Sequence, residues 1–97
     1  LAGALRSFTE GKTVLERLAA NDPANTEWQR DLSVSCWLIA AKVFQPQQRW
    51  AEALELMEQS LRISERLAAT DPTNVTWQKD VEVSRALVTE LRAKVAE

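Results

Sequence analysis

The segment Glu16–Ser35 reads ERLAANDPANTEWQRDLSVS, and the segment Glu65–Ser84, forty-nine positions later, reads ERLAATDPTNVTWQKDVEVS. Both segments carry Asp-Pro, Asn, Trp-Gln and Asp in the same order and at the same spacing. Agreement at one fixed offset over this length indicates an internal duplication. The sequence therefore predicts a single domain built from two repeat units, residues 1–48 and residues 49–97.

Three prolines divide the chain into helical segments. Proline lacks an amide hydrogen and disfavours the helical conformation of the residue before it, so Pro23, Pro46 and Pro72 each predict the end of a helix. Short connections between long helices require antiparallel neighbours. The expected fold class is therefore all-α, with stacked antiparallel helical hairpins. We expect four helices over residues 1–20, 26–44, 49–69 and 75–96.

The residues after two of these prolines predict how the next helix begins. Asn25 and Asn74 occupy equivalent positions, where a side-chain oxygen can accept a hydrogen bond from a free amide of the helix that follows. In the first unit, Thr26 and Gln29 offer an alternative, a capping box. Val75 replaces Thr26 in the second unit, so the asparagine is the more consistent cap.

Composition and charge narrow the functional classes. The net charge of −2 comes from 12 basic and 14 acidic residues without a basic stripe, which disfavours nucleic-acid binding. Spacings such as Glu58 with Arg62 and Glu90 with Lys94 predict ion pairs along solvated helix faces. No apolar run approaches the roughly 20 residues that span a bilayer. The chain opens with Leu1 inside a periodic pattern, which suggests a piece of a longer protein.

Residues suited to catalysis are few. The sequence has no histidine and one cysteine, so histidine-based triads and the usual zinc sites are excluded, and we expect no metal, no cofactor and no enzymatic activity. Cys36 lies among apolar residues, which predicts a buried and inert thiol. The absence of paired cysteines favours a cytoplasmic location. Asp31 and Asp80 could act as an acid–base pair, but their equivalent positions favour surface ion pairs.

Small and large side chains at fixed spacing resemble the tetratricopeptide repeat (TPR) family. Its repeat has W-x2-L-G-x2-Y on the first helix, and A-x3-F followed by a small residue on the second. The long helices make the chain similar to bacterial arrays with recurring D-P-x-N-x-x-W-Q-x-D segments, which are often joined to signalling or effector domains. The first helix is matched by Trp37, Ala40, Ala41 and Phe44, and the second by Ala53, Met57 and Ser60 and, in the preceding unit, by Ala4, Phe8 and Gly11.

The resemblance implies a non-catalytic scaffold that holds a peptide or partner domain in a groove formed by first helices. An alternative is that the same residues only pack against adjacent helices. A second functional hypothesis is structural self-assembly, in which open repeat ends join copies of the chain into a homo-oligomer. The expected groove residues are Ser35, Leu38 and Lys42, with Ser84, Leu87 and Leu91 by repeat register, and Trp50 as the tryptophan most open to a partner.

Overall fold

The computed structural model describes the backbone of residues 2–97 and the side chains of residues 6, 7 and 9–97. Every regular element in that part of the chain is helical, which confirms the all-α class. The packing roles expected of Ala4 and Phe8 lie outside the described side chains. The four α-helices are α1 (Ala2–Asn21), α2 (Thr26–Ile39), α3 (Trp50–Thr70) and α4 (Val75–Ala96).

Equivalent asparagines begin α2 and α4. The Oδ1 atom of Asn25 accepts a hydrogen bond from the amide of Trp28 at 3.1 Å, and Asn74 accepts one from the amide of Trp77 at 3.0 Å. The expected asparagine caps are confirmed. The alternative capping box is wrong, because the amide side chain of Gln29 turns away and donates to the carbonyl oxygen of Ala19 at 3.3 Å.

The end of α2 differs from the single helix expected through residue 44. Ala40–Phe44 form a π-helical turn and Gln45–Gln47 form a 3₁₀ turn. The proline ring at position 46 would collide with a carbonyl four residues earlier in a regular α-helix. The backbone widens one turn earlier instead, so that the amide of Gln45 bonds to the carbonyl of Ala40. Gln48 then reverses the chain in the left-handed conformation, with φ of 58°.

Neighbouring helices run antiparallel. Arg85 of α4 pairs with Glu65 of α3 at 3.3 Å, and Arg92 pairs with Glu58 at 3.2 Å, so residue numbers rise along α4 as they fall along α3. Glu58 thus reaches across to the next helix, whereas the sequence predicted that it would pair with Arg62.

Two core clusters place α3 in the middle of the fold. The first core cluster joins α1, α2 and α3, and the second joins α3 and α4 to the π-helical turn. Since α3 contributes to both, α2 and α4 lie on either side of it. None of the helices described is both long enough and apolar enough to cross a membrane. The first core cluster contains Ala19, Leu32, Cys36, Ile63 and Leu67, and the second contains Ala40, Ala53, Met57, Val88 and Leu91.

Candidate functional site

A cleft of about 220 Å³ lies between α2 and α4 above α3, and we call it the α2–α4 cleft. Its walls are mainly apolar, with Val34 and Trp37 from α2 facing Val83 from α4. Asp80 lies at one end. The floor consists of four serines, Ser33, Ser60, Ser64 and Ser84.

Hydrogen bonds among the serines satisfy much of the hydrogen-bonding capacity of this floor. The Ser33 hydroxyl lies 2.8 Å from the Ser60 hydroxyl and 3.1 Å from the Ser64 hydroxyl. The Ser60 hydroxyl also contacts the carbonyl oxygen of Ser33 at 3.0 Å. Among the described residues, no buried side-chain nitrogen or oxygen lacks a partner. The floor therefore needs no ligand to complete it, and the selective features of the cleft are its apolar walls.

The two wall valines are repeat equivalents. Val34 and Val83 are forty-nine positions apart, and they remain 36% and 45% exposed. A β-branched side chain on a helix has essentially one rotamer, so each valine presents a fixed apolar surface. With the half-buried ring of Trp37, they form an apolar patch open to solvent, of a kind that often marks a binding site.

An ion pair closes one end of the cleft. Arg30 of α2 donates from Nε to Oδ2 of Asp80 at 2.9 Å and from Nη2 to Oδ1 at 3.3 Å. This hydrogen bonding raises the pKa of Arg30 and outweighs the opposing effect of partial burial. Asp31, the repeat equivalent of Asp80, is exposed and does not line the cleft. The carboxylate of Asp80 is therefore committed to Arg30, as the surface ion-pair interpretation expects.

The structure places the residues expected to line a groove in three different environments: the cleft, the second core cluster and the outer surface. Ser84 alone among them lines the α2–α4 cleft. Leu91 is fully buried in the second core cluster, whereas Leu87 and Trp50 are half-buried and pack against that cluster. The ammonium of Lys94 lies 5.6 Å from the centre of the Trp50 ring. Ser35 and Leu38 of α2 are half-buried and Lys42 of the π-helical turn is exposed, and none of the three lines the cleft.

A rotation of about 100° around the helix axis separates the expected groove from the observed cleft. The expected groove residues on α2 begin at Ser35, whereas the cleft wall begins at Val34, and one residue corresponds to about 100° around a helix. The TPR register did not identify Val34 and Val83. A signal was present, because each valine follows a buried core residue, Leu32 or Val81, by two positions and so points away from the core.

The described residues show little chemistry suited to bond-making. Burial raises the pKa of the Cys36 thiol to about 11, so it is not an activated nucleophile. Among these residues there is no group of three or more potential metal ligands. What the α2–α4 cleft can offer is apolar contact and shape.

Comparison with protein-family models, with characterised proteins and with solved structures finds no match to this chain. The resemblance to the TPR family therefore depends on the residues quoted above.

Proposed function

We propose that this chain is a non-catalytic scaffold of TPR-like architecture that binds a protein partner through the α2–α4 cleft. The observation that carries the proposal is the solvent-exposed apolar wall formed by Val34, Trp37 and Val83 over a floor of serines. In this reading α2 and α4 are successive first helices of stacked hairpins, and the cleft lies in the shallow groove between them.

The size of the cleft limits what it can hold. A volume of about 220 Å³ is below the range of roughly 300–1,000 Å³ typical of small-molecule pockets. It suits one bulky apolar side chain from an extended or helical segment, as in interfaces where a few buried anchors supply most of the affinity. The apolar walls would recognise the anchor, because the carboxylate of Asp80 is already bonded to Arg30.

A peptide library displayed on phage and selected on the immobilised chain tests this proposal. We expect the enriched peptides to share a bulky apolar residue. Their affinity, measured by fluorescence anisotropy, should fall at least tenfold with Val83→Glu, because the substitution places a charge against the buried anchor.

Val95→Glu is the matched control. Val95 lies on the same helix, is 47% exposed against 45% for Val83, and does not line the cleft. The proposal is wrong if both variants bind the peptides equally well, or if no peptide is enriched. Leu38→Ala and Lys42→Glu examine the groove expected from the sequence, and a loss of binding with these variants alone would move the site there.

Self-assembly is a second candidate, favoured by one observation. Val14 on α1 is 51% exposed, more than either valine of the cleft. An apolar residue left open at an end of the fold can join copies of the chain. Light scattering over a range of concentrations separates this function from the first, because a scaffold with a free cleft stays monomeric.

A further inference from the structure

The internal repeat allows each outer helix to be compared with an inner helix that occupies the same place in its unit. Residues forty-nine positions apart are equivalent, so α1 corresponds to α3, and α2 corresponds to α4. In the contact between α2 and α3, one face of each helix is covered by the other helix. This contact therefore shows what would cover the corresponding faces of α1 and α4. These faces of α1 and α4 have no helix packed on them, and they form the two ends of the described stack.

The end formed by α1 is open at two described residues that correspond to buried residues of α3. Ile63 is 5% exposed within the first core cluster, where Leu32 and Cys36 of α2 cover it, but its equivalent Val14 is 51% exposed. Gly11 corresponds to the buried Ser60, and a Cβ atom added to it would meet nothing within 4 Å. The α1 end thus presents the small and branched residues that receive a helix elsewhere in the fold.

The end formed by α4 has a different character. On α2, the residues Ser33, Ala40 and Val43 are buried. Their equivalents on α4 are polar or charged and exposed: Glu82, Thr89 and Arg92. Arg92 bends back to pair with Glu58 of α3, so its charge is engaged within the fold. A helix packed on this face would have to bury charged side chains, which is unfavourable without new partners.

We infer that the face of α1 that contains Gly11 and Val14 docks a helix of the α2 type, and that α4 closes the stack. A helix of the α2 type carries small residues at the positions of Ser33 and Ala40, which allow close approach. Polar outer faces on terminal repeats are a general requirement of stacked repeat proteins. The inference goes beyond the proposed function, because it concerns a different surface from the α2–α4 cleft. A second copy of this chain is a poor occupant, since its exposed α4 face carries the charged residues and its α2 is already covered.

The repeat supplies an experiment without a designed linker. Residue 50 is the equivalent of residue 1, so a copy of residues 26–49 placed directly before Leu1 reproduces the natural connection from α2 to α3. We expect this extension to raise the unfolding midpoint by at least about 5 °C in a single transition, as added burial does in a domain of this size. We also expect the α1 amides near Val14 to exchange more slowly.

Two controls separate docking from the effect of added length. The first is the same extension with Ser33→Glu, Ala40→Thr and Val43→Arg in the copied segment, which converts its docking face to that of α4. The second places a copy of residues 49–70 directly after Glu97, where it would have to pack on α4. Neither control should raise the midpoint or slow exchange, and equal stabilisation by either one would overturn the inference.

A substitution in α1 makes the test independent of how well one extension folds. Val14→Asn should leave the midpoint of the unextended chain within about 1 °C, because Val14 is half exposed there. In the extended chain the same substitution should remove most of the gain. If it has no effect in the extended chain, the helix does not dock on this face. If the unextended chain is a dimer that Val14→Asn dissociates, the occupant is a second copy and the inference is wrong.

Discussion

The guanidinium of Arg30 in α2 and the carboxylate of Asp80 in α4 form two hydrogen bonds, at 2.9 and 3.3 Å, between residues fifty positions apart. The side chains are 39% and 27% exposed, so water screens the pair only in part. The pair joins the two repeat units directly and fixes the spacing of the helices that form the α2–α4 cleft.

Replacing Arg30 and Asp80 by alanine, singly and together, measures this link. We expect each single change to lower the free energy of unfolding by about 1 kcal/mol, with a coupling energy of about 0.5–1 kcal/mol in urea titrations. Arg6 and Glu10 form the control pair, at 3.1 Å with side chains 82% and 69% exposed, and their coupling should be close to zero. Equal coupling in the two pairs would show that Arg30 and Asp80 contribute no more than a surface contact.

The repeated glutamines predict a graded loss of stability. Gln29 donates to the carbonyl of Ala19 and Gln78 to the carbonyl of Ala68, both at 3.3 Å, so each ties the start of one helix to the end of the helix before it. Gln29 is buried and Gln78 is exposed. Because water can replace only the exposed bond, we expect Gln29→Ala to cost about 1–2 kcal/mol and Gln78→Ala about 0.5 kcal/mol.

Thermal unfolding followed by circular dichroism checks this order. Gln29→Glu is the matched control, because it keeps the shape of the side chain but replaces the donating amide by an acceptor. It should destabilise the fold at neutral pH at least as much as Gln29→Ala. If Gln29→Glu is neutral, the hydrogen bond is not what holds Gln29 in place.

The turn after α2 predicts a stabilising substitution. Gln48 has a φ of 58°, a left-handed conformation that costs a residue with a Cβ atom about 1 kcal/mol or more. Gln48→Gly removes this strain but increases the freedom of the unfolded chain, so we expect a net gain of about 0.5–1 kcal/mol. Gln48→Ala retains the strain and should give no gain. A gain from alanine equal to that from glycine in urea titrations would point to the glutamine side chain instead.

The buried thiol predicts a loss of stability at alkaline pH. Burial raises the pKa of Cys36 to about 11, whereas an exposed cysteine titrates near 8.5. Between these values the unfolded chain releases the proton and the folded chain keeps it. The contribution is therefore fully present below about pH 8.5 and is lost as pH rises towards 11, by up to about 3 kcal/mol.

Cys36→Ala removes this contribution and serves as the reference. The difference in unfolding free energy between the natural chain and this variant should shrink as pH rises from 8 to 11. A difference that stays constant over this range would mean that the thiol is not shielded. The native thiol should also react with a disulfide reagent far more slowly than the denatured one.

Two ion pairs suggested by a spacing of four residues are replaced by other pairs in the structure. Glu58 lies four positions from Arg62 but pairs with Arg92, and Lys94 lies four positions from Glu90 but pairs with Glu97 at 3.9 Å. Long charged side chains can reach partners on neighbouring helices as well as on their own. Sequence spacing alone therefore identifies the solvated face but not the partner.

The sequence by itself determined the four helices, their approximate limits except the end of α2, and the caps at Asn25 and Asn74. These depend on interactions between residues a few positions apart, such as the missing amide of proline or an asparagine oxygen beside a free backbone amide. The duplication also determined which residues are equivalent.

Only the tertiary structure decided which residues line the cleft and which of two equivalent residues is buried. The α2–α4 cleft depends on the rotation of each helix about its axis, and one residue of rotation moves the wall from Ser35 to Val34. Burial likewise separates Val14 from Ile63, although the repeat makes them equivalent. The physical reason is that the exposure of a residue is set by neighbours distant in the chain, which the spacing of a repeat does not specify.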